Sequence, residues 1–140
     1  MAYWRLFYHF VWTTKNREPL ITPDIETNIY RFLHAEAKRL YVPLFIIGGT
    51  MDHVHVLAAV RPALSPAVFV KQLKGSSSRF VSLEFKRPFV WQKGYGVLSV
   101  SERDVPQVIL YVENQKQHHS EGSLVEAWEN TDHWNVGPRN

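Results

Sequence analysis

The chain has 140 residues, of which 45% are hydrophobic and 21% charged, the balance of an ordinary folded domain. It contains no cysteine, which excludes disulfide scaffolds, cysteine zinc fingers and thiol nucleophiles. Its formal charge of +3 permits nucleic-acid binding without requiring it. No apolar stretch approaches the roughly 20 residues that span a membrane, and no signal-peptide layout opens the chain, so we expect neither a membrane span nor export.

The first part of the chain predicts a strand followed by a helix. Residues 6–14 are rich in aromatic and β-branched side chains and end in a basic turn, which indicates a buried strand. Thr22 then supplies an N-cap and Pro23 a first helical position, and apolar side chains follow at helical spacing to about Leu40.

The middle of the chain predicts a hairpin and a basic helix. Residues 43–50 and 53–60 are two short apolar runs joined by a turn. Ser65 and Pro66 repeat the signal of a cap followed by proline and open a helix. Whether this helix continues through the small residues 75–78 stays open at the sequence level.

The last part of the chain predicts a fourth strand and a final helix. Residues 89–91 and 96–100 are strand-like around a Gly-Tyr-Gly sequence. Asp104 is the expected cap of the final helix, because Pro106 is tolerated only in a first turn.

The order of the predicted elements is β-α-β-β-α-β followed by one more helix. This order predicts an α+β fold of the ferredoxin-like (RRM-like) type, with an antiparallel sheet, helices on one face and an additional C-terminal helix. Many functions use this fold, so it names none by itself. Beyond His119 the tail is polar, with Trp128 and Trp134 as its large anchors, and we expect it to pack weakly or against a partner.

A pair of histidines in the third predicted strand is the sharpest local signal for chemistry. His53 and His55 lie two residues apart, so a strand directs both imidazoles to one face, with Val54 and Val56 on the other. Two imidazoles on one face suit a divalent cation, and the alternative is a pair of half-buried histidines bonded to their neighbours. His9 would lie beside them if the first and third strands are neighbours, and we expect it to be a structural histidine.

A second signal lies on the final helix, where Tyr111 and Gln115 are four residues apart and share one face. A tyrosine at the edge of an amphipathic helix is usually a packing residue. Beside an amide oxygen that can complete a metal site, however, its phenol could act as a nucleophile if a cation favours the ionised form.

Five short motifs combine these signals with others, in the order YHFVWTTK at residues 8–15, HVH at 53–55, LKGSSSR at 73–79, WQKGY at 91–95 and YVENQ at 111–115. Together they resemble the motifs of the single-tyrosine HUH transposases, the small IS200-like transposases of insertion sequences and of elements that mobilise repetitive extragenic palindromes. The resemblance covers about residues 3–119. It implies one transposase domain over residues 1–140, with residues 120–140 as a C-terminal tail.

The resemblance implies a role for each matching residue. His53 and His55 would bind a divalent metal, Mg²⁺ or Mn²⁺, with Gln115 as the third ligand and Tyr111 as the nucleophile. The tyrosine would attack a phosphate of single-stranded DNA and form a 5′-phosphotyrosine intermediate with a free 3′-hydroxyl, which later reverses the step on a new partner.

The resemblance also implies partners and a location. Similar transposases recognise a DNA hairpin near the element end and form homodimers in which the catalytic helix of one subunit completes the metal site of the other. The protein would act in the cytoplasm of a bacterial or archaeal cell, in association with the nucleoid.

Candidate DNA contacts are basic, small and aromatic residues of the motifs. Basic residues would contact phosphates, although such residues are often merely solvated, and Trp91 could stack on a base or belong to the core. The candidates are Lys15, Arg17, Lys71, Lys74, Ser76, Arg79 and Trp91.

Two other functions stay open at the sequence level. The first is a ferredoxin-like domain that binds nucleic acid without catalysis, with incidental histidines and binding that needs no metal. The second is a metal-dependent hydrolase in which water replaces Tyr111 as the nucleophile. The sequence does not determine the recognised DNA sequence and hairpin, the metal used in the cell or the state of the element. It also leaves open whether the catalytic helix serves its own subunit or the partner, and what His118, His119 and the tail do.

Overall fold

A computed structural model describes residues 2–131 as a four-stranded antiparallel sheet with helices on both faces. The order of the strands across the sheet is β2-β3-β1-β4, so the first strand lies next to the third. The strands are β1 (Phe7–Thr13), β2 (Leu44–Gly49), β3 (His53–Ala59) and β4 (Gly96–Val100). The helices are α1 (Pro23–Arg39), α2 (Pro66–Glu84), α3 (Val105–Glu113) and α4 (Gln115–Glu121).

The predicted fold class is confirmed, and the differences concern the ends and joints of the elements. Helix α2 continues through residues 75–78, where serine hydroxyls bond back to carbonyls one turn earlier. Residues 89–91 do not join the fourth strand and contribute a single bridge between Thr14 and Trp91. Pro106 lies in the first turn of α3, as expected, and the predicted final helix is broken at Asn114.

The alternation of side chains along the strands divides the molecule into two packed layers. On one face Phe10, Trp12, Val54 and Val56 pack against α1 and α2 in the main hydrophobic core. On the other face α3 packs through a smaller cluster of Leu57, Val108 and Val112. The two predicted histidines of β3 therefore face α3 and not the main core.

Gly48 determines how closely α3 approaches the sheet. A Cβ atom at this position would lie 2.0 Å from the carbonyl oxygen of Val112, a distance that no side chain can occupy. The glycine therefore allows the backbone of α3 to lie directly on β2.

The segment after α4 packs against the sheet, contrary to the expectation of weak packing. It contains a 3-10 turn (Glu126–Trp128), and Trp128 packs against the α3 cluster. The indole lies edge-on to Tyr111 and His9, with ring centroids 4.9 Å and 5.6 Å apart. Trp134, the other expected anchor, lies outside the described residues.

Among residues 2–131, no helix is both long enough and apolar enough to cross a membrane.

Candidate active site

Strand β3 directs His53 and His55 to the face covered by α3. Both side chains are buried, with 1% and 0% of their surface exposed. Because β1 is the neighbour of β3, His9 lies on the same face, and its Nε2 is 2.8 Å from His55 Nδ1. The strand period predicted from the sequence thus gathers three imidazoles at one place.

Helices α3 and α4 bring Tyr111 and Gln115 to these histidines. The Tyr111 ring lies edge-on to His55, with ring centroids 5.8 Å apart. Gln115 is the first residue of α4, and its Oε1 lies 3.1 Å from His53 Nε2. The side-chain amide of Gln115 donates to the Tyr111 carbonyl, which directs its oxygen toward the histidine. The structure therefore brings together all four residues of the predicted chemical site within one chain.

Glu129 is the functional candidate that the sequence analysis missed. Its Oε1 lies 3.1 Å from His55 Nε2 and 3.4 Å from His53 Nε2. Its Oε2 accepts a short hydrogen bond from the Tyr111 hydroxyl, which also accepts the Val125 backbone N–H at 3.0 Å. A carboxylate in a polar tail carries no spacing signal that links it to a strand far earlier in the chain.

His119 also belongs to the site, and His118 contacts its tyrosine. His119 Nε2 lies 3.1 Å from Gln115 Oε1, and its ring packs against His53. The His118 ring stacks on Tyr111, with centroids 4.7 Å apart. His119 follows Gln115 by four residues, and His118 follows Tyr111 by seven. This helical spacing is the signal in the sequence that could have identified both histidines.

Each metal-candidate histidine is held at Nδ1 and presents Nε2 to the site. His53 Nδ1–H donates to Asp52 Oδ1 at 2.7 Å, which leaves the lone pair of Nε2 directed at Gln115 Oε1 and Glu129 Oε1. Three atoms with lone pairs thus face one another without an intervening proton, an arrangement that a bound cation stabilises. His53, His55 and Glu129 form a possible metal-binding triad, with ligand atoms within 4.8 Å of one another.

Burial and the Glu129 charge set the protonation states of the site. Burial lowers the pKa of His55, opposed by the hydrogen bond to Glu129, and lowers the pKa of His9 to about 3. Burial alone would raise the pKa of Glu129, but the hydrogen bonds from His55 and from Tyr111 contribute to lowering it to about 2. Burial, and then the bond to Glu129, raises the pKa of Tyr111 to about 12. At neutral pH Tyr111 is therefore protonated beside an ionised carboxylate.

Two of the predicted DNA contacts lie close to this site. Lys15 and Arg17 are exposed on a 3-10 turn (Lys15–Arg17) that follows β1. The Arg17 guanidinium is 3.8 Å from Asp52, the carboxylate that holds His53. A phosphate bound by this turn would lie next to the histidine pair.

The other predicted DNA contacts are distributed differently. Lys71 and Arg79 are exposed on α2, which covers the opposite face of the sheet, and Ser76 bonds back to its own helix at Gln72. Lys74 donates to two carbonyls of the loop before β4, at Gln92 and Gly94, and burial lowers its pKa. These four residues do not reach the tyrosine.

Trp91 lies in the main core, one of the two places that the sequence leaves open for it, and is therefore dropped as a candidate DNA contact. It is 8% exposed, it packs edge-on against Trp12 and Phe89, and its indole N–H donates to Ser77 Oγ at 2.8 Å. The two aromatic contacts and the hydrogen bond from the indole N–H explain why a tryptophan stands at this position, and no contact with DNA is needed.

Comparison with known proteins identifies the class to which this fold and site belong. The model of the family described as "Transposase IS200 like" matches residues 2–115, and the chain belongs to that family. The ISDra2 transposase TnpA of Deinococcus radiodurans is 29% identical over 119 residues, which cover 80% of this chain and 85% of the relative.

Two solved structures are similar to the whole architecture. A transposase from Deinococcus radiodurans R1 is 31% identical, with a TM-score of 0.67 over 82% of this chain and 95% of that one. A REP-associated tyrosine transposase bound to a REP hairpin has a TM-score of 0.63 at 10% identity, over 89% and 76% of the two chains. At that identity the second likeness concerns the fold alone.

Proposed function

We propose that this transposase cleaves and rejoins single-stranded DNA through a covalent bond between Tyr111 and a 5′-phosphate. The observation that carries the proposal is the meeting of Tyr111 with His53, His55 and Gln115 in one buried cluster. In the step, the Tyr111 oxygen bonds to phosphorus while the bond from phosphorus to the 3′ oxygen breaks. The phenol proton passes to water, and the 3′ oxygen takes up a proton as it leaves.

The donor set of the site fits a divalent cation such as Mn²⁺ or Mg²⁺. Two imidazole nitrogens, the Glu129 carboxylate and the Gln115 amide oxygen converge, a mixed set of nitrogen and oxygen ligands. When bound, the metal would polarise a phosphoryl oxygen and favour the phenolate form of a nearby tyrosine. We therefore add Glu129 as a fourth proposed metal ligand to His53, His55 and Gln115, the three that the sequence suggests.

Glu129 positions the Tyr111 hydroxyl without acting as its base in the described state. The pKa of the carboxyl is about 2 and that of the phenol about 12, so proton transfer between them is strongly unfavourable. Glu129 and the Val125 N–H instead fix the direction of the hydroxyl. Ionisation of Tyr111 therefore has to come from a change in the site, such as a cation that replaces the carboxylate contact.

Hairpin-bearing single-stranded DNA is the proposed substrate. The support is membership of the family, the exposed basic turn at Lys15 and Arg17, and the fold shared with a transposase bound to a REP hairpin. The proposed place of action is the nucleoid of a bacterial or archaeal cell, and the proposed functional unit is a single domain of residues 1–140.

The placement of α3 bears on whether subunits share their active sites, a point that the sequence leaves open. In this chain α3 packs on its own β2 and β3, and Tyr111 faces its own histidines. A homodimer stays part of the proposal, but each subunit would carry a site built from its own residues.

The test is a denaturing gel for a covalent protein–DNA adduct. Single-stranded oligonucleotides from the genomic flanks of the gene are incubated with Mn²⁺ or a chelator and with the wild type, Tyr111→Phe or Tyr41→Phe. Tyr41 is 85% exposed and lies after α1, so its variant controls for loss of a phenol elsewhere.

We expect a metal-dependent adduct for the wild type and Tyr41→Phe and none for Tyr111→Phe. An adduct that persists in Tyr111→Phe would place the nucleophile elsewhere. Metal-dependent cleavage without an adduct would favour the hydrolase, and metal-independent binding without cleavage would favour a binding domain.

A further inference from the structure

His9 is a buried imidazole that the proposed chemistry does not use. It lies on β1 between two aromatic residues of the chain and is 0% exposed. Its Nε2 is 2.8 Å from His55 Nδ1, while its own Nδ1 is buried and has no hydrogen-bond partner among the described residues. Trp128 and Tyr111 pack edge-on against its ring.

The contact between the two rings links their tautomers. In the described state His55 Nε2–H donates to Glu129, so His55 Nδ1 accepts from His9 Nε2–H. If His55 Nε2 is a metal ligand, its proton must be on Nδ1, which then donates to His9 Nε2. The single hydrogen bond between the rings can run in either direction, and each direction fixes both tautomers.

We propose that His9 is a positioning residue whose imidazole allows His55 to present a bare Nε2 to a divalent cation. The inference rests on the proposed function, in which His55 is a metal ligand. In the change, the proton on His9 Nε2 passes to His55 Nδ1, His9 Nδ1 takes a proton from water, and His55 Nε2 releases one to water. The number of protons on the pair is unchanged.

Packing alone does not account for a histidine at this position. A phenylalanine would fill the space beside Trp128 without leaving a polar atom unpaired, whereas His9 keeps Nδ1 buried and without a partner. Asp52 holds the other histidine, but a carboxylate can only accept and so fixes one tautomer of His53. A second imidazole can both donate and accept, which is the property that His55 requires.

The experiment measures Mn²⁺ affinity of the full chain without DNA, from the electron paramagnetic resonance signal of free Mn²⁺. The variants are His9→Phe, which keeps an aromatic ring but no partner for His55, and His9→Gln, whose amide can donate or accept. His34→Phe, at an exposed position of α1, is the control for loss of a histidine elsewhere, and His55→Ala reports loss of the site.

We expect His9→Phe to weaken Mn²⁺ binding about 10- to 100-fold, and His9→Gln and His34→Phe to stay within about threefold of the wild type. Binding by a folded His9→Phe within twofold of the wild type would overturn the inference. If the wild type itself binds no Mn²⁺, or His55→Ala binds as well as the wild type, the proposed metal site fails and the inference fails with it.

A second measurement needs no variant at position 9. In wild-type protein labelled with ¹⁵N-histidine, Mg²⁺ is expected to move His55 and His9 together from the Nε2–H to the Nδ1–H tautomer, a change that ¹⁵N shifts report. A shift confined to His55, or none at saturating Mg²⁺ in a protein that binds Mn²⁺, would overturn the role of His9 while leaving the metal site intact.

Discussion

At the scale of single residues, the site combines groups whose proton affinities are displaced in opposite directions. Burial holds His9 and His55 neutral, the histidines keep Glu129 ionised, and burial beside that carboxylate keeps Tyr111 protonated. Each shift moves its group further into the form that it already has at neutral pH in water, so the neutral histidines, the ionised carboxylate and the protonated phenol persist over a wider pH range. The local environment therefore stabilises one set of protonation states in the site without a bound cation.

The displaced pKa of His9 predicts acid sensitivity of the metal-free fold. Its pKa is about 3 in the folded chain against 6.5 when exposed, so the unfolded chain binds more protons between these values. Its contribution to stability is full above about pH 6.5 and is lost as the pH falls toward 3. Between pH 7 and pH 5 we expect the wild type to lose about 2 kcal/mol more than His9→Phe, measured by urea unfolding with a chelator. Parallel losses in the two proteins would contradict this.

The contact between Glu129 and Tyr111 predicts a change in the tyrosine that needs no DNA. Glu129→Gln removes the negative charge but keeps an acceptor, so the pKa of Tyr111 should fall from its value of about 12. The measurement is a pH titration of ¹³Cζ-labelled tyrosine by NMR. Glu126→Gln, in the same segment, serves as the control and should leave the Tyr111 titration unchanged. An unchanged titration in Glu129→Gln would show that the two side chains do not meet in solution.

At the scale of elements, the decisive contact is the close approach of α3 to β2. Tyr111 lies on α3, and Gln115 follows a break at Asn114, so the distance of α3 from the sheet places both residues. The backbone of Val112 occupies the space that a side chain at position 48 would need.

Gly48→Ala should therefore move α3 and damage the site and the fold together. We expect a loss of about 1–3 kcal/mol in unfolding free energy and a clear fall in adduct formation, because the new methyl group meets backbone that cannot rotate away. The matched control is Gly75→Ala within α2, where a Cβ atom meets nothing within 4 Å. That variant should gain about 0.5–1 kcal/mol from helix propensity. Urea unfolding measures the unfolding free energy of both variants. Equal changes in Gly48→Ala and Gly75→Ala would contradict the close approach of α3 to β2.

The sequence predicts the strands and helices better than it predicts the tertiary contacts between them. Period-two spacing placed His53 and His55 on one face, and four-residue spacing placed Tyr111 beside Gln115, because both patterns are local. Glu129 reaches the site only through tertiary packing of Trp128, and no local pattern encodes such a contact. Trp91 shows the same limit, since the motif at residues 91–95 is compatible both with a tryptophan in the core and with one that stacks on a base.

At the scale of the whole molecule, the site lies on the α3 face of the sheet, and one end of the sheet carries the exposed basic turn. The pairing of β2 with β3 marks the two ends of the sheet. Gly49 pairs with Val54 at the end near the site, and Leu44 pairs with Ala58 at the far end. Lys15 lies on the turn at the site end, and Lys38 lies at the far end of α1.

This asymmetry predicts which lysine contacts single-stranded DNA. Lys15→Gln should weaken binding and reduce the slope of log affinity against log salt by about 0.7, the value for one phosphate contact. Lys38→Gln, an equal change of charge at the other end, should leave the slope unchanged. Fluorescence anisotropy across a salt series measures both variants, and equal slopes for them would show that the turn does not bind phosphate.

The placement of Tyr111 beside the histidines of its own chain predicts the result of mixing two variants that we expect to be inactive. Tyr111→Phe lacks the proposed nucleophile and His55→Ala lacks a proposed ligand, so a mixture regains adduct formation only if one subunit supplies Tyr111 to the other. Because Tyr111 faces its own histidines, we expect no recovery on the adduct gel. Recovery would show that α3 crosses between subunits in the active form.

The site draws its residues from positions 9, 53, 55, 111, 115 and 129, so it is assembled across almost the full described chain. During synthesis the histidines leave the ribosome well before the tyrosine, and the tyrosine leaves before the carboxylate that orients it. A nascent chain of about a hundred residues can hold most of the sheet but lacks the proposed nucleophile. The proposed capacity to break DNA is therefore acquired last, after the sheet that carries the histidines has been made.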